Sequence, residues 1–362
     1  MKRSPSSAKF LLHKLRFALV GCALVWLSGA GAAPGAEPVI NVWYGLEQSF
    51  GKLGNPQPRI NILGSVARAE DIDALSFSLN GGPAMPLSMG VDLRRLARPG
   101  DFNIEIERSD LRDGMNEVMI KAALRDGGAI STTVRIHFTP DRGWPLPYQI
   151  DWSKVERIQD VAEVMDGLWK LTPQGVRTVE PYYDRVIAIG DMQWTDYEVL
   201  TSVIFHKMLA DEIAPRGPPY SNHAHASVLL RWRGHDNDGK QPRVKWHPTG
   251  GLAMFRANAG SEGNQWIWHG GESGFLAQEA HTRPVEIGSR HYFKARVETL
   301  PGPKTRYSVK AWKAGGEEPA DWDLVGIDGE RDSQSGSLLL VVHHSDVTFG
   351  NVEVRGVAPP GP

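Results

Sequence analysis

Apolar residues recur at every second position along much of the chain, in short segments broken by polar turns. Phe102, Ile104 and Ile106 share one side of 101–106, and Thr132, Val134, Ile136 and Phe138 share one side of 132–138. A period of two sends successive side chains to opposite faces, so each segment predicts a half-buried β-strand. Segments 59–64, 75–79 and 116–122 extend the set. Asn80-Gly81-Gly82 and Asp126-Gly127-Gly128 tolerate positive φ and predict tight turns between them. Together these predict a small β-sandwich over residues 39–140.

The pattern is densest at 181–206, where apolar runs 186–189 and 199–205 flank Gly190-Asp191-Met192-Gln193. Val, Ile, Tyr and Phe dominate there and favour a pleated sheet. This is either a polar edge over a ligand groove or the rim of a large sandwich. Segments 226–232, 251–256, 266–268, 291–300, 305–314, 337–344 and 347–355 continue as strands that suit stacked antiparallel sheets. The block 141–152, with Pro145, Pro147, Trp144 and Trp152, reads as a packed connector. Val155, Ile158, Val161, Ala162 and Met165 fall at helical spacing and predict a short helix or linker, before an entry strand at 167–171. The expected class is all-β, divided into 39–140, a linker at 141–152, a second domain at 153–357 and a tail at 358–362. Gly- and Pro-rich connections at 209–223, 234–250 and 257–288 form one rim or cover a concave face.

Two resemblances sharpen this outline. Leu79-Asn80-Gly81-Gly82 and Leu111-Arg112-Asp113-Gly114-Met115-Asn116 resemble turns of immunoglobulin-like or cadherin-like accessory modules, without the Cys–Trp–Cys framework of antibody domains. The second block resembles the concanavalin A-like lectin/glucanase superfamily, laminin-G-like modules included. Residues 346–354 look like its closing strand and 337–344 like that strand's apolar neighbour. Lys310-Ala311-Trp312-Lys313 followed by Glu318-Pro319-Ala320-Asp321-Trp322 looks like a strand–loop pattern of bacterial members. The resemblances imply an N-terminal Ig-like β-sandwich followed by a concanavalin A-like jelly-roll β-sandwich. They support fold more than activity.

Composition narrows the partners. A formal charge of −2 over 362 residues gives no global electrostatic case for nucleic-acid binding. Lys2, Arg3, Lys9, Lys14 and Arg16 precede the apolar stretch 17–30, followed by Gly31-Ala32-Ala33. This predicts an export signal over 1–32 and a periplasmic or secreted protein. Lipoprotein anchoring through Cys22 is the alternative. Cleavage after Ala32 leaves no cysteine, hence neither disulfides nor thiolate ligands. No later segment is apolar enough to span a membrane.

Candidate chemistry falls in four groups. Asp196 and Glu198 share a face if extended and can form an acid and nucleophile or base pair, although the alternating glutamate motif of the superfamily's retaining enzymes is missing; structural salt bridges are the other reading. His223 and His225 share a strand face and can act as a base or, with other histidines, hold a metal. Adjacent His343 and His344 are expected on opposite faces. Asp236, Asn237 and Asp238, before Gly239, offer hard oxygen ligands for a structural Ca2+ but lack the EF-hand glutamate, so an ordinary polar hairpin stands beside that reading. Trp194, Tyr197, Arg231, Arg233, Trp246, Trp266 and Trp268 are candidate glycan contacts, since aromatic faces stack on sugar C–H surfaces and arginines orient hydroxyls or carboxylates. Trp232 is expected in the core, with Arg231 and Arg233 exposed. The leading expectation is an exported protein binding a poly- or oligosaccharide. The rivals are a glycoside hydrolase or polysaccharide lyase, including one with His/Tyr proton transfer, and a structural component of the envelope with a protein partner.

Overall fold

The structure, a computed structural model, describes residues 38–140, 143–213, 222–236, 239–244, 246, 249–271, 274–302, 304–329 and 332–358. The expected export segment 1–32 and Cys22 lie outside them. The described residues are almost entirely β, and their α-helix Ala210–Ile213 is a single turn. No helix among them is long and apolar enough to cross a membrane.

The alternating segments before residue 140 form a sandwich of two sheets. Ile40–Val42, Arg59–Val66 and Asp101–Glu107 make a three-stranded sheet. Glu47–Phe50, Ala129–Phe138, Gly114–Leu124, Ile72–Leu79 and Met85–Leu87, in that spatial order, make a five-stranded one. Phe102, Ile104, Ile106, Val134, Ile136 and Phe138 meet in its core, as their period requires. The other side of Asp101–Glu107 departs from the half-buried expectation, because Asp101, Asn103 and Glu105 are buried as well. The second sandwich covers that face.

That second sandwich stacks seven strands on nine. The seven-stranded sheet runs Glu163–Asp166, Arg185–Ile189, Ser337–His343, His223–Trp232, Gly251–Asn258, Gln265–Gly270, Gly274–Gln278. The larger sheet runs Trp169–Thr172, Gly175–Thr178, Ser345–Phe349, Tyr197–Met208, Arg290–Leu300, Lys304–Lys313, Leu324–Asp328. Val352–Gly356 also pairs with Tyr197–Met208, and Tyr148–Ile150 pairs with Val352–Gly356. Ile187, Val203, Phe205, Val228, Phe255 and Phe293 fill the space between the sheets.

The two runs of 181–206 therefore lie in different sheets, and 190–196 carries the chain from one to the other. This is the sandwich rim. Gly190 makes the corner at φ +95°, where a Cβ would come within 2.2 Å of the Trp194 ring. Where a short helix or linker was expected over 154–165, the chain makes 3-10 turns Trp152–Lys154 and Ile158–Asp160 and strand Glu163–Asp166. Sheet pairing of Glu163 with Ala188 and of Val164 with Ile187 outweighs a short amphipathic period. The strand expected over 347–355 breaks at Gly350-Asn351, where a Cβ on Gly350 would meet Ser202 Oγ at 2.1 Å, so the close approach requires glycine. The 257–288 connection itself contains two strands. Trp144 and Trp152 are packed down as expected, into the second core.

The contact between the sandwiches is polar. Arg95 Nε meets Asp166 Oδ1 and its Nη1 meets Glu105 Oε1, both at 2.6 Å. Arg108 Nη2 donates to both oxygens of Glu163 at 2.9 and 2.8 Å, and Asn103 Nδ2 donates to the Met165 carbonyl at 2.9 Å. Burial raises the Asp166 carboxyl to about 6 despite Arg95. Burial also acts on Glu105, but Arg95 and a backbone hydrogen bond from Arg243 outweigh it and bring that carboxyl down to about 2. Glu105 Oε2 accepts from Arg243 twice, from its backbone N at 3.0 Å and from Nη1 at 3.1 Å.

His235 is buried in the same interface, and burial, then Arg95, holds its imidazole neutral far below the ordinary value of 6.5. The unfolded chain takes up that proton near 6.5 while the folded chain does not. Stability from this group is therefore lost as pH falls below the unfolded value, by up to about 1.4 kcal/mol per pH unit. Denaturant midpoints at pH 7 and pH 5 should fall less in His235→Gln than in the parent chain. Equal falls would show that His235 titrates normally.

Candidate functional site

Alternation assigns the faces of the seven-stranded sheet. Ile187, Val228, Leu340 and Val342 point into the inter-sheet core, while Leu229, Leu339 and Val341 point outward. The outward face carries a cleft of about 400 Å³, within the roughly 300–1,000 Å³ usual for ligand sites.

Strand register builds one end of this cleft. His225 lies opposite His343 on one side and Arg256 on the other, so three polar side chains line up across adjacent strands. Arg185 pairs with Val342, which brings the preceding residue, Asp184, beside His343. Asp184 Oδ1 and His343 Nδ1 are 2.7 Å apart. His223 joins from two positions before His225, on the same face. The three imidazoles stack: His225 and His343 with centroids 4.8 Å apart and planes at 4°, His223 and His343 at 4.8 Å and 15°, and His223 and His225 at 5.5 Å and 12°. One nitrogen from each lies within 4.8 Å of the others. Ser227 Oγ holds His225 Nδ1 at 2.6 Å.

Beyond this row the floor is apolar, formed by Leu229, Leu252, Met254 and Val341, and Trp246 and Tyr183 border it. Tyr183 stands edge-on to His343, with ring centroids 4.8 Å apart. Arg94, from the first sandwich, lies over the Tyr183 ring at 5.3 Å and donates from Nη1 to its hydroxyl at 3.3 Å. Buried Arg185 clamps this wall through Nη2, which donates to the Tyr183 carbonyl at 2.7 Å and the Arg94 carbonyl at 3.0 Å. Both sandwiches thus shape the cleft.

The electrostatics keep His223 and His225 uncharged. Burial first, then His343 and Arg256, pushes His223 down to about 2, and the same causes together with His223 hold His225 well below the usual imidazole value. Neutral imidazoles offer lone pairs to a hydrogen-bond donor or a metal. Burial, reinforced by Asp184, pushes the Tyr183 phenol up to about 12, so it is a donor near neutrality.

His343 and His344 were expected on opposite faces. Their ring centroids are 4.3 Å apart, and both stand edge-on to Tyr183. His344 adopts φ 46°, which turns the chain between Ser337–His343 and Ser345–Phe349 and cancels the alternation. Such backbone costs about 1–3 kcal/mol in a non-glycine residue and clusters at functional sites.

The candidate residues divide sharply. His225 is in the row, and Trp246 borders the cleft. Asp196 and Glu198 are elsewhere. Asp196 Oδ1 accepts from Arg231 Nη2 at 3.0 Å and Thr299 N at 2.5 Å, while Glu198 Oε2 accepts from Arg296 Nε and Nη2 at 2.8 and 2.5 Å. Lys294 Nζ adds a contact to Glu198 at 3.3 Å. These are salt bridges on the rim and on the nine-stranded sheet. Trp266 and Trp268 alternate inward and are wholly buried, against Phe293 and Tyr307 respectively, so neither forms an exposed sugar platform. Trp194 and Tyr197 are likewise core residues. Trp232 is buried as expected, but so is Arg231. A register shift between Leu229 and Trp232, with Arg231 at φ 59°, breaks the alternation and sends its guanidinium to Thr195, Asp196 and Thr299. Arg233 is exposed and bonds Ser335 Oγ at 2.8 Å, away from the cleft lining. Of the cation loop, Asp236 is half-buried, and Asn237 and Asp238 lie outside the described residues. Sequence reasoning passed over Asp184, Tyr183 and Arg256 as site residues. The H-x-H spacing was visible, but its partners depend on strand register.

No protein-family model matches the chain, and a search of curated proteins finds no match. Solved structures similar to it include a chain from work on endo-acting O-glycanases that human gut microbiota express to initiate mucin breakdown. It is 8% identical, with TM-score 0.36, covering 58% of this chain and 99% of the other. An alginate lyase variant in complex with alginate tetrasaccharide is 10% identical, with TM-score 0.35 and coverage of 60% and 99%. A carbohydrate-binding module of the β-sandwich superfamily is 9% identical, with TM-score 0.18 and coverage of 90% and 98%. Likeness at this level carries no function across.

Proposed function

We propose that this is an exported glycan-recognising protein whose ligand lies in the outer-face cleft of the seven-stranded sheet. The observation that carries the reading is the meeting of aromatic walls, Trp246 and Tyr183, with the polar row Asp184–His343–His225–Arg256 over an apolar floor. A sugar ring has apolar C–H faces and a rim of hydroxyls. It is matched by aromatic surface beside a few convergent polar groups. Arg256 supplies a guanidinium for hydroxyls or a uronate carboxylate. The first sandwich supports the aromatic wall through Arg94, which packs on Tyr183.

A glycan array followed by titration calorimetry tests this. Trp246→Ala should weaken the best ligand by about tenfold or more, equivalent to about 1.4 kcal/mol. Arg256→Ala should weaken acidic glycans more than neutral ones. Silence across a broad panel, or unchanged affinity in both variants, would overturn the reading. The titratable row favours a second reading, in which the cleft also cleaves its glycan. Reducing-end release or formation of unsaturated products separates the two.

A further inference from the structure

We propose that His223, His225 and His343 form a binding site for a zinc-class divalent ion, with one coordination position open to the cleft. The inference goes beyond glycan recognition and stands whatever occupies the cleft. Three observations carry it.

The first is the donor set. Two imidazoles two residues apart on one strand, and a third directly across on the next, put three nitrogens on one face within 4.8 Å of one another. Three histidines with a vacant fourth position are a zinc arrangement found in catalytic sites. Zn–N distances of about 2.0–2.1 Å need donors about 3.4 Å apart. The strands fix the Cβ atoms, so side-chain rotation has only to close the remaining gap.

The second is the surrounding shell. Metal-bound imidazoles usually give their other nitrogen to a carboxylate, carbonyl or water, which fixes ring orientation. Asp184 Oδ1 sits 2.7 Å from His343 Nδ1, and Ser227 Oγ sits 2.6 Å from His225 Nδ1. The latter contact assigns Nε2 of His225 as its coordinating atom.

The third is the setting. His225 and His343 are each 3% exposed and stacked against one another, yet the row opens into the cleft through half-buried His223. Arg256, beside His225, adds positive charge and favours an anionic fourth ligand, such as hydroxide or a carboxylate.

The test uses the purified chain, stripped with chelator and loaded with Co2+ or Zn2+. One ion per chain should bind. Co2+ should show the intense visible bands of tetrahedral coordination, and Zn2+ should displace it. His225→Ala and His343→Ala should abolish binding, and exposed His137→Ala should leave it unchanged. Asp184→Asn should weaken it by about 10–100-fold. Circular dichroism reports whether each variant folds. X-ray absorption of the zinc-loaded parent decides the matter without any variant, because three imidazole shells are expected. No bound ion, no imidazole scattering, or full binding by a folded His225→Ala chain would overturn the assignment. Titrating glycan into metal-free protein tests glycan recognition separately.

Discussion

Replacing Arg95 with methionine should lower folding stability by about 3–5 kcal/mol, the scale for breaking a buried ion pair from one side. Arg95 is 5% exposed and holds Glu105 and Asp166 at 2.6 Å each, with further bonds to the Arg243 and Met165 carbonyls at 2.5 and 3.1 Å. Methionine keeps much of the volume but leaves Asp166 without its guanidinium hydrogen bond and Glu105 held by Arg243 alone, both buried. Denaturant unfolding of the parent and variant measures the loss. Adding Asp166→Asn to Arg95→Met should recover part of it, because the stranded charge is then gone, while Glu105 keeps Arg243. A loss below about 1 kcal/mol would instead match a solvent-screened pair and contradict the buried interface.

Trp266→Ala should cost a similar amount, about 3–5 kcal/mol, for a different reason. Its ring is wholly buried, 4.8 Å from the centroids of both Phe255 and Phe293, and truncation opens a cavity between the sheets. A sugar-stacking tryptophan behaves otherwise, because its removal weakens ligand binding and leaves the unfolding midpoint nearly unchanged. Measuring both quantities in Trp266→Ala and Trp246→Ala separates the roles. Trp266 should move stability, and Trp246 should move affinity.

Much of the fold was legible because a β-sandwich writes its core as alternation. Phe102, Ile104 and Ile106, or Val134, Ile136 and Phe138, needed nothing beyond their period to be placed. The reading failed where tertiary contacts override that period. Asp101–Glu107 is buried on both sides because another sandwich covers its polar face. Arg231 and His344 sit at positive φ, so each sends a side chain where alternation forbids it. The site was less legible for the same reason. His223 and His225 announce a shared face, but Asp184, Arg256 and His343 join them only through register between strands distant in sequence. The charges of 181–206 drew attention to Asp196 and Glu198, which are already committed to Arg231 and Arg296. Asp184, at the head of the same segment, is the one that reaches the cleft. Tryptophan count gave no guidance, since Trp194, Trp266 and Trp268 serve the core and Trp246 borders the cleft.

A crystal structure of the chain with its tightest-binding oligosaccharide tests the central claim most directly. The account predicts a sugar ring against Trp246 and Tyr183 over Leu252 and Met254, with polar contacts from Arg256. A sugar seated on the nine-stranded sheet near Glu198, or on the rim beside Arg233, would contradict it.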